Sequence, residues 1–213
     1  GSETLGQTVA STFSDKNVAT GKTVTVNSIT LADGSNGGLA ANYSISTGQT
    51  TTANITAKSL TVSGITASNK TYDSTTSATL GTGAVIYGGK VSGDDFTGSY
   101  SGVFADANAG TGKTVNITSS YSGADVNNYS VTDQSTTTAN ITAKAITATT
   151  SASNKVYDGS SAATVTLSLS GFIGSETVTS TNSSTFNNKN AGTGKTVTVC
   201  LLYTSDAADD RDS

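Results

Sequence analysis

The sequence predicts an all-β chain: tandem immunoglobulin-like β-sandwich repeats of about 85 residues, with β-grasp-like repeats carrying one short helix as the alternative fold. Three observations predict it. Apolar residues alternate with Thr at period two, as in Val24-Thr25-Val26, Val115-Asn116-Ile117 and Val197-Thr198-Val199. Such alternation describes a half-buried antiparallel strand with its polar face outward. The same blocks then recur at a domain-sized spacing, Phe13, Phe104 and Phe186 being 91 and 82 residues apart. Finally, no stretch sustains the i, i+3, i+4 apolar spacing of a helix.

Composition sets the limits. About a third of the 213 residues are Ser or Thr, 23 are Gly, and there is no Pro, His, Met or Trp. Apolar residues make up 34%, below the usual globular share, so each core must be small. Periodicity and low net charge argue against a disordered chain. The formal charge is −4, but residues 200–213 hold four Asp and the only Arg, which leaves −1 for residues 1–199. No basic patch exists, so nucleic acid and anionic membrane surfaces have little electrostatic reason to bind.

Taken in order, the first block runs from Thr12-Phe13-Ser14-Asp15-Lys16-Asn17 to Thr20-Gly21-Lys22-Thr23 and into a strand at Val24 and Val26. Gly21, Gly112 and Gly194 sit where a turn must feed that strand in each copy. Next comes Asn42-Tyr43-Ser44, repeated as Asn128-Tyr129-Ser130. The strand Ala53-Asn54-Ile55-Thr56-Ala57 follows it and recurs as Ala139-Asn140-Ile141-Thr142-Ala143. Ala67-Ser68-Asn69-Lys70-Thr71-Tyr72-Asp73 then recurs as Ala152-Ser153-Asn154-Lys155-Val156-Tyr157-Asp158.

The domain boundary is read from a change of parity. Apolar residues are odd-numbered at Ala53, Ile55 and Ala57 and even-numbered at Leu60 and Val62. The same switch separates Ala139, Ile141 and Ala143 from Ile146 and Ala148. A one-residue slip turns every side chain to the other face, so one strand closes a core and the next opens another. The organisation expected is 1–57 as the C-terminal part of repeat 1, 58–143 as a complete repeat 2, and 144–199 as the N-terminal part of repeat 3. So short a junction favours a semi-rigid string. Residues 200–213 are expected to be a non-native tail. One codon choice for Cys200 to Asp209 reads TGT CTC TTA TAC ACA TCT GAC GCT GCC GAC, which looks like a transposase sequencing adapter in frame. Without that tail the chain has no cysteine, which suits an exported protein.

Together these blocks resemble the YDG-type repeats of large bacterial surface proteins, including filamentous-haemagglutinin-like adhesins. The resemblance is carried by Asn154-Lys155-Val156-Tyr157-Asp158-Gly159, Ser92-Gly93-Asp94-Asp95, Phe104 to Thr114, Ser122-Gly123-Ala124-Asp125 with Asn128-Tyr129, and the Ala-Asn-Ile-Thr-Ala-Lys blocks. It covers nearly all of residues 1–199. The second repeat departs from the motif at Ser74, where the third has Gly159. The resemblance implies a cell-surface, β-rich module remote from any catalytic domain.

Candidate chemistry is sparse. Gly112-Lys113-Thr114 and Gly194-Lys195-Thr196 lack the earlier glycine of a phosphate loop, having Ala107 and Lys189 there, and lead into a strand. They are expected to be structural turns. Asp94-Asp95, with Glu3 and Glu176 in the matching place, is too few oxygens for calcium and is expected to be solvated turn acids. The recurring aromatics, Phe13, Phe104 and Phe186, Tyr43 and Tyr129, Tyr72 and Tyr157, are expected to anchor each core. Lys58, Lys144, Lys70, Lys155, Asn69, Asn154, Asp73 and Asp158 could build a Lys–Asn cross-link only if the fold brings them together. Sequons at Asn42, Asn54, Asn69, Asn116, Asn128, Asn140 and Asn182 are barely above what composition supplies.

No catalytic, cofactor-binding or metal-binding residue is assigned, and no cofactor is expected. Without His or a native Cys, acid–base and nucleophilic catalysis have little to build on. The expected function is a non-catalytic spacer or stalk repeat of an exported bacterial adhesin at the cell surface; a glycan- or ligand-binding module is the alternative. Its expected partners are neighbouring repeats of the same chain, with host or surface glycans reached through other domains. Neither nucleic acid nor membrane insertion is expected for this segment.

Overall fold

The computed structural model describes residues 2–203. They are all-β, with no α-helix among them and only two short 3₁₀ turns, Ala40–Asn42 and Val126–Asn128, at matching places in the repeat. The β-grasp alternative, which needs a helix, is therefore not the architecture.

In the first repeat β1 (Gly6–Phe13) and β2 (Ala19–Ala32) form a hairpin, and β3 (Thr50–Ile55) adds to β2 as the other edge. The second repeat begins at β4 (Lys58–Ser63) and continues through four two-residue strands: β5 (Thr66–Ala67), β6 (Lys70–Thr71), β7 (Ser77–Ala78) and β8 (Leu80–Gly81). It then runs through β9 (Ile86–Gly88), β10 (Thr97–Phe104), β11 (Gly110–Ser122), β12 (Tyr129–Thr132) and β13 (Thr136–Thr142). The third repeat holds β14 (Thr147–Ala152) paired with β15 (Val165–Ser170), and β16 (Ser180–Phe186) paired with β17 (Val197–Tyr203).

The second repeat is a β-sandwich. One sheet has the order β6-β13-β11-β10-β7 and the other the order β12-β4-β9. Leu60 and Val62 of β4, Ile117 of β11 and Tyr129 of β12 meet Ile65 and Phe96 in the core between them. Leu60 and Val115 are wholly buried and Ile141 nearly so. Two pairings are parallel rather than antiparallel: β4 with β12, and β6 with β13. Each returns the last strands of the repeat to its beginning, so the fold closes only when both ends of the repeat are present.

By compactness the chain divides into two units. The first comprises residues 1–69, 76–105 and 112–140, and so contains the first repeat and the body of the second. The second comprises residues 70–75, 106–111 and 141–213, and so takes in two loops of the second repeat with the third.

The aromatic anchors need correction. Phe104 and Tyr129 are buried as expected. Phe13, Tyr43 and Tyr157 are exposed, and Tyr72 and Phe186 half-buried. The physical reason is position in the sheets. Tyr43 and Tyr157 lie outside any strand and Phe13 ends an edge strand paired with β2 alone, whereas Phe104 lies on β10 between β11 and β7 and Tyr129 on β12 against β4. Phe96, which the repeat comparison passes over, is the aromatic centre of the core, within 5.5 Å of the rings of Tyr87, Tyr121 and Tyr129. Its signal was faint, Leu5 and Val178 occupying the same place in the other repeats. As for the tail, Cys200 to Tyr203 continue β17 opposite Ser180 to Ser183, and residues 204–213 lie outside the described residues.

Candidate functional site

The motif blocks of the second repeat converge on one polar clasp in the first unit. The turn Ser92-Gly93-Asp94-Asp95 and the turn Ser122-Gly123-Ala124-Asp125 face each other through reciprocal hydrogen bonds. The Asp95 amide donates to Asp125 Oδ2 at 2.9 Å, the Ala124 amide to Asp95 Oδ2 at 3.0 Å, and the Asp125 amide to the Asp95 carbonyl at 3.1 Å. Tyr129 seals the inner side. Its hydroxyl donates to Asp94 Oδ2 at 2.6 Å and accepts the Val91 amide at 2.9 Å. One ring thus fills the core with its body and ties two turns with its tip.

The outer side of the clasp receives the first repeat. Lys16, in the loop between β1 and β2, places Nζ 3.0 Å from Asp94 Oδ1 and 2.7 Å from Asp125 Oδ1. Beside it the Val18 amide donates to Asn128 Oδ1 at 2.9 Å, and Asn128 Nδ2 donates to Asn17 Oδ1 at 3.2 Å. The loop is shaped for this by Asp15, whose carboxylate accepts the Asn17 amide at 2.8 Å and the nearly buried Lys22 ammonium. Lys22 is the lysine of the first Gly-Lys-Thr block, so that block feeds a strand and braces a loop. Gly21, Gly112 and Gly194 all have φ near +60°, the left-handed turn that only glycine adopts without cost.

Charge follows geometry. Hydrogen bonds from Tyr129 and Lys16 hold the Asp94 carboxyl below its ordinary value of 3.8. Lys16, then the Asp95 amide, lowers Asp125, and the two carboxylates raise Lys16. A carboxyl with a depressed folded value contributes stability above its ordinary value and loses it as pH falls through the depressed one. The contact between repeats is therefore expected to be intact at neutral pH and to open in acid. Amide chemical shifts of Lys16 to Val18 should be constant down to about pH 4 and change as pH falls further toward about 2. Shifts that stay flat over that range would show that the ion pair does not hold the loop.

The remaining candidates are structural as placed. Lys70 Nζ donates to Asp73 at 2.7 Å and to the Thr75 carbonyl at 2.7 Å, while Asp73 accepts the Thr75 amide at 2.9 Å. Lys155, Asp158 and Ser160 repeat this turn. In each, the lysine first and the following amide second lower the aspartate to about 2. Ser74 keeps the turn at φ 62° where the third repeat has Gly159 at φ 78°. Asn69 spends its Oδ1 on the Asn140 amide at 2.7 Å, and Lys70 turns to Asp73, so the geometry does not present the two for cross-linking. Glu3 and Glu176 are not merely solvated: they accept the hydroxyls of Tyr43 and Tyr72, respectively. Among the described residues no group of three or more His, Cys, Asp or Glu side chains is placed to hold a metal ion.

Sequence comparison missed Lys16, Asp125 and Asn128 as a set, because the contacts join residues more than 100 positions apart and Lys16 becomes Ala107 in the next copy. Neither the search of curated proteins nor that of solved structures gives a match. Among family models, that of the YDG domain matches residues 1–53, 56–139 and 142–211.

Proposed function

The chain belongs to the YDG domain family, and on that premise we propose that it is a non-catalytic spacer segment of an exported bacterial surface adhesin, its repeats holding a binding domain away from the cell. The observation that carries this reading is the built contact between consecutive repeats. β3 ends at Ile55 and β4 begins at Lys58, which leaves no room for a flexible linker. The loop of the first repeat is then seated on the second by Lys16 and Asn128. A spacer needs such joints, because reach comes from adding copies and stiffness from the contacts between them.

The rival is direct ligand binding by the repeat, and a glycan array of the whole chain separates the two. No reproducible binding above background is expected. A signal that recurs and disappears on Tyr72→Ala would overturn the spacer reading in favour of a glycan-binding module.

A further inference from the structure

One acidic position recurs in every repeat. Glu3, Asp94 and Glu176 each stand ten residues before Phe13, Phe104 and Phe186. In the second and third repeats the acid closes the same turn. The Asp94 amide donates to the Val91 carbonyl at 3.3 Å and the Glu176 amide to the Ile173 carbonyl at 3.2 Å. Each carboxylate then receives a group from the repeat before it. Asp94 gives Oδ2 to its own Tyr129 and Oδ1 to Lys16 of the first repeat. Glu176 accepts the hydroxyl of Tyr72, which belongs to the second repeat.

A second observation points the same way. Residues 70–75 and 106–111 of the second repeat group by compactness with the third repeat, not with the body of their own. Tyr72, Asn108 and Ala109 from these loops line one surface together with Ile173 and Glu176. The loop 106–111 is the counterpart of the first-repeat loop that carries Lys16. It has Ala107 in the place of that lysine, so it offers no charge there.

We propose that in the second and third repeats the turn acid is the docking residue for the loops of the preceding repeat, with an interchangeable donor: a lysine ammonium on Asp94, a tyrosine hydroxyl on Glu176. Such a joint is head to tail, different surfaces of two copies meeting, so the same rule extends along an array. The tyrosine of the Lys-x-Tyr-Asp motif thereby gains a role that core packing does not give it. Chemistry sets the two joints apart. The first is a pair of charges whose lysine side chain is 64% exposed, so salt screens it. The second joins a neutral phenol to a carboxylate, a charge-assisted hydrogen bond that salt screens less.

The test uses the whole chain. Glu176 is exposed and Tyr72→Phe keeps the ring, so neither Glu176→Ala nor Tyr72→Phe removes core packing. Tyr72→Phe should move the amide resonances of residues 173–177, and Glu176→Ala those of residues 71–74. In a double-mutant cycle by urea denaturation the two losses should fail to add, by at least about twofold in the unfolding constant. A parallel cycle of Lys16→Met with Asp94→Asn should show a coupling that shrinks at about 1 M salt, while that of Tyr72 with Glu176 persists. Losses that add, or resonances at 173–177 that Tyr72→Phe leaves unmoved, would overturn the joint at Glu176. Equal shrinkage of both couplings in salt would overturn the distinction between the donors. None of these readouts depends on a ligand, so the joints would stand equally in a glycan-binding array.

Discussion

Phe96→Ala is expected to lower the stability of the second repeat by about 3–5 kcal/mol. Phe96 is buried, with ring centroids 5.3 Å from Tyr87, 5.2 Å from Tyr121 and 5.5 Å from Tyr129. It packs with Leu60, Val62, Ile65 and Ile117, so it bridges residues of both sheets. Truncation to alanine removes the transfer free energy of a ring and leaves a cavity that three tyrosines, each tethered by its own hydroxyl, are poorly placed to fill. A small domain is stable by only about 5–15 kcal/mol, so this loss is a large part of the total. The urea midpoint should fall sharply and the melting temperature by more than about 10 °C. Phe96→Leu should cost far less, because the first repeat carries Leu5 in that place. A melting temperature for Phe96→Ala within a few degrees of wild type would refute the assignment of Phe96 as the centre of the core.

Gly123→Ala is expected to destabilise the clasp by about 3 kcal/mol or more. Gly123 has φ 123°, a conformation that side chains with a Cβ rarely adopt, and an added Cβ would stand 2.3 Å from the Asp95 carbonyl oxygen. Backbone strain and overlap act together there. Relief requires the turn at Asp95 to move, which breaks its reciprocal bonds with Asp125 and unseats Lys16. Gly112→Ala is the informative contrast. That residue has φ 61° but open space around it, so only the left-handed penalty of about 1–2 kcal/mol applies. Chemical denaturation of the two variants side by side tests the account. Equal losses would mean that the close approach of the two turns contributes nothing.

The core strands were legible because their chemistry is local. Val115 and Ile117, Leu60 and Val62, and Ala139 and Ile141 are buried at alternate positions, as alternation with polar residues requires. At the first change of parity Ile55 is half-buried and Leu60 buried; at the second Ile141 is buried but Ile146 is 41% exposed. Aromatic anchors were legible only for the second repeat. Phe13 and Tyr43 have the same sequence context as Phe104 and Tyr129, yet they are exposed, because burial depends on which strands lie beside them.

Repetition, strand alternation and the left-handed glycine turns follow from neighbouring residues, so the order of the chain was enough to determine them. Parallel return of β12 to β4 and of β13 to β6, the reciprocal Asp95–Asp125 turns and the seat of Lys16 on two carboxylates were decided by tertiary structure alone. Each joins residues tens of positions apart, and the free energy of such a contact depends on which strands lie between them. Identical segments therefore end in different states: Thr136–Lys144 with Ala139 and Ile141 buried, Thr50–Lys58 with Ala53 exposed and Ile55 only half-buried. The difference follows the neighbours: Thr136–Thr142 lies between β6 and β11, whereas Thr50–Ile55 is an edge strand on β2.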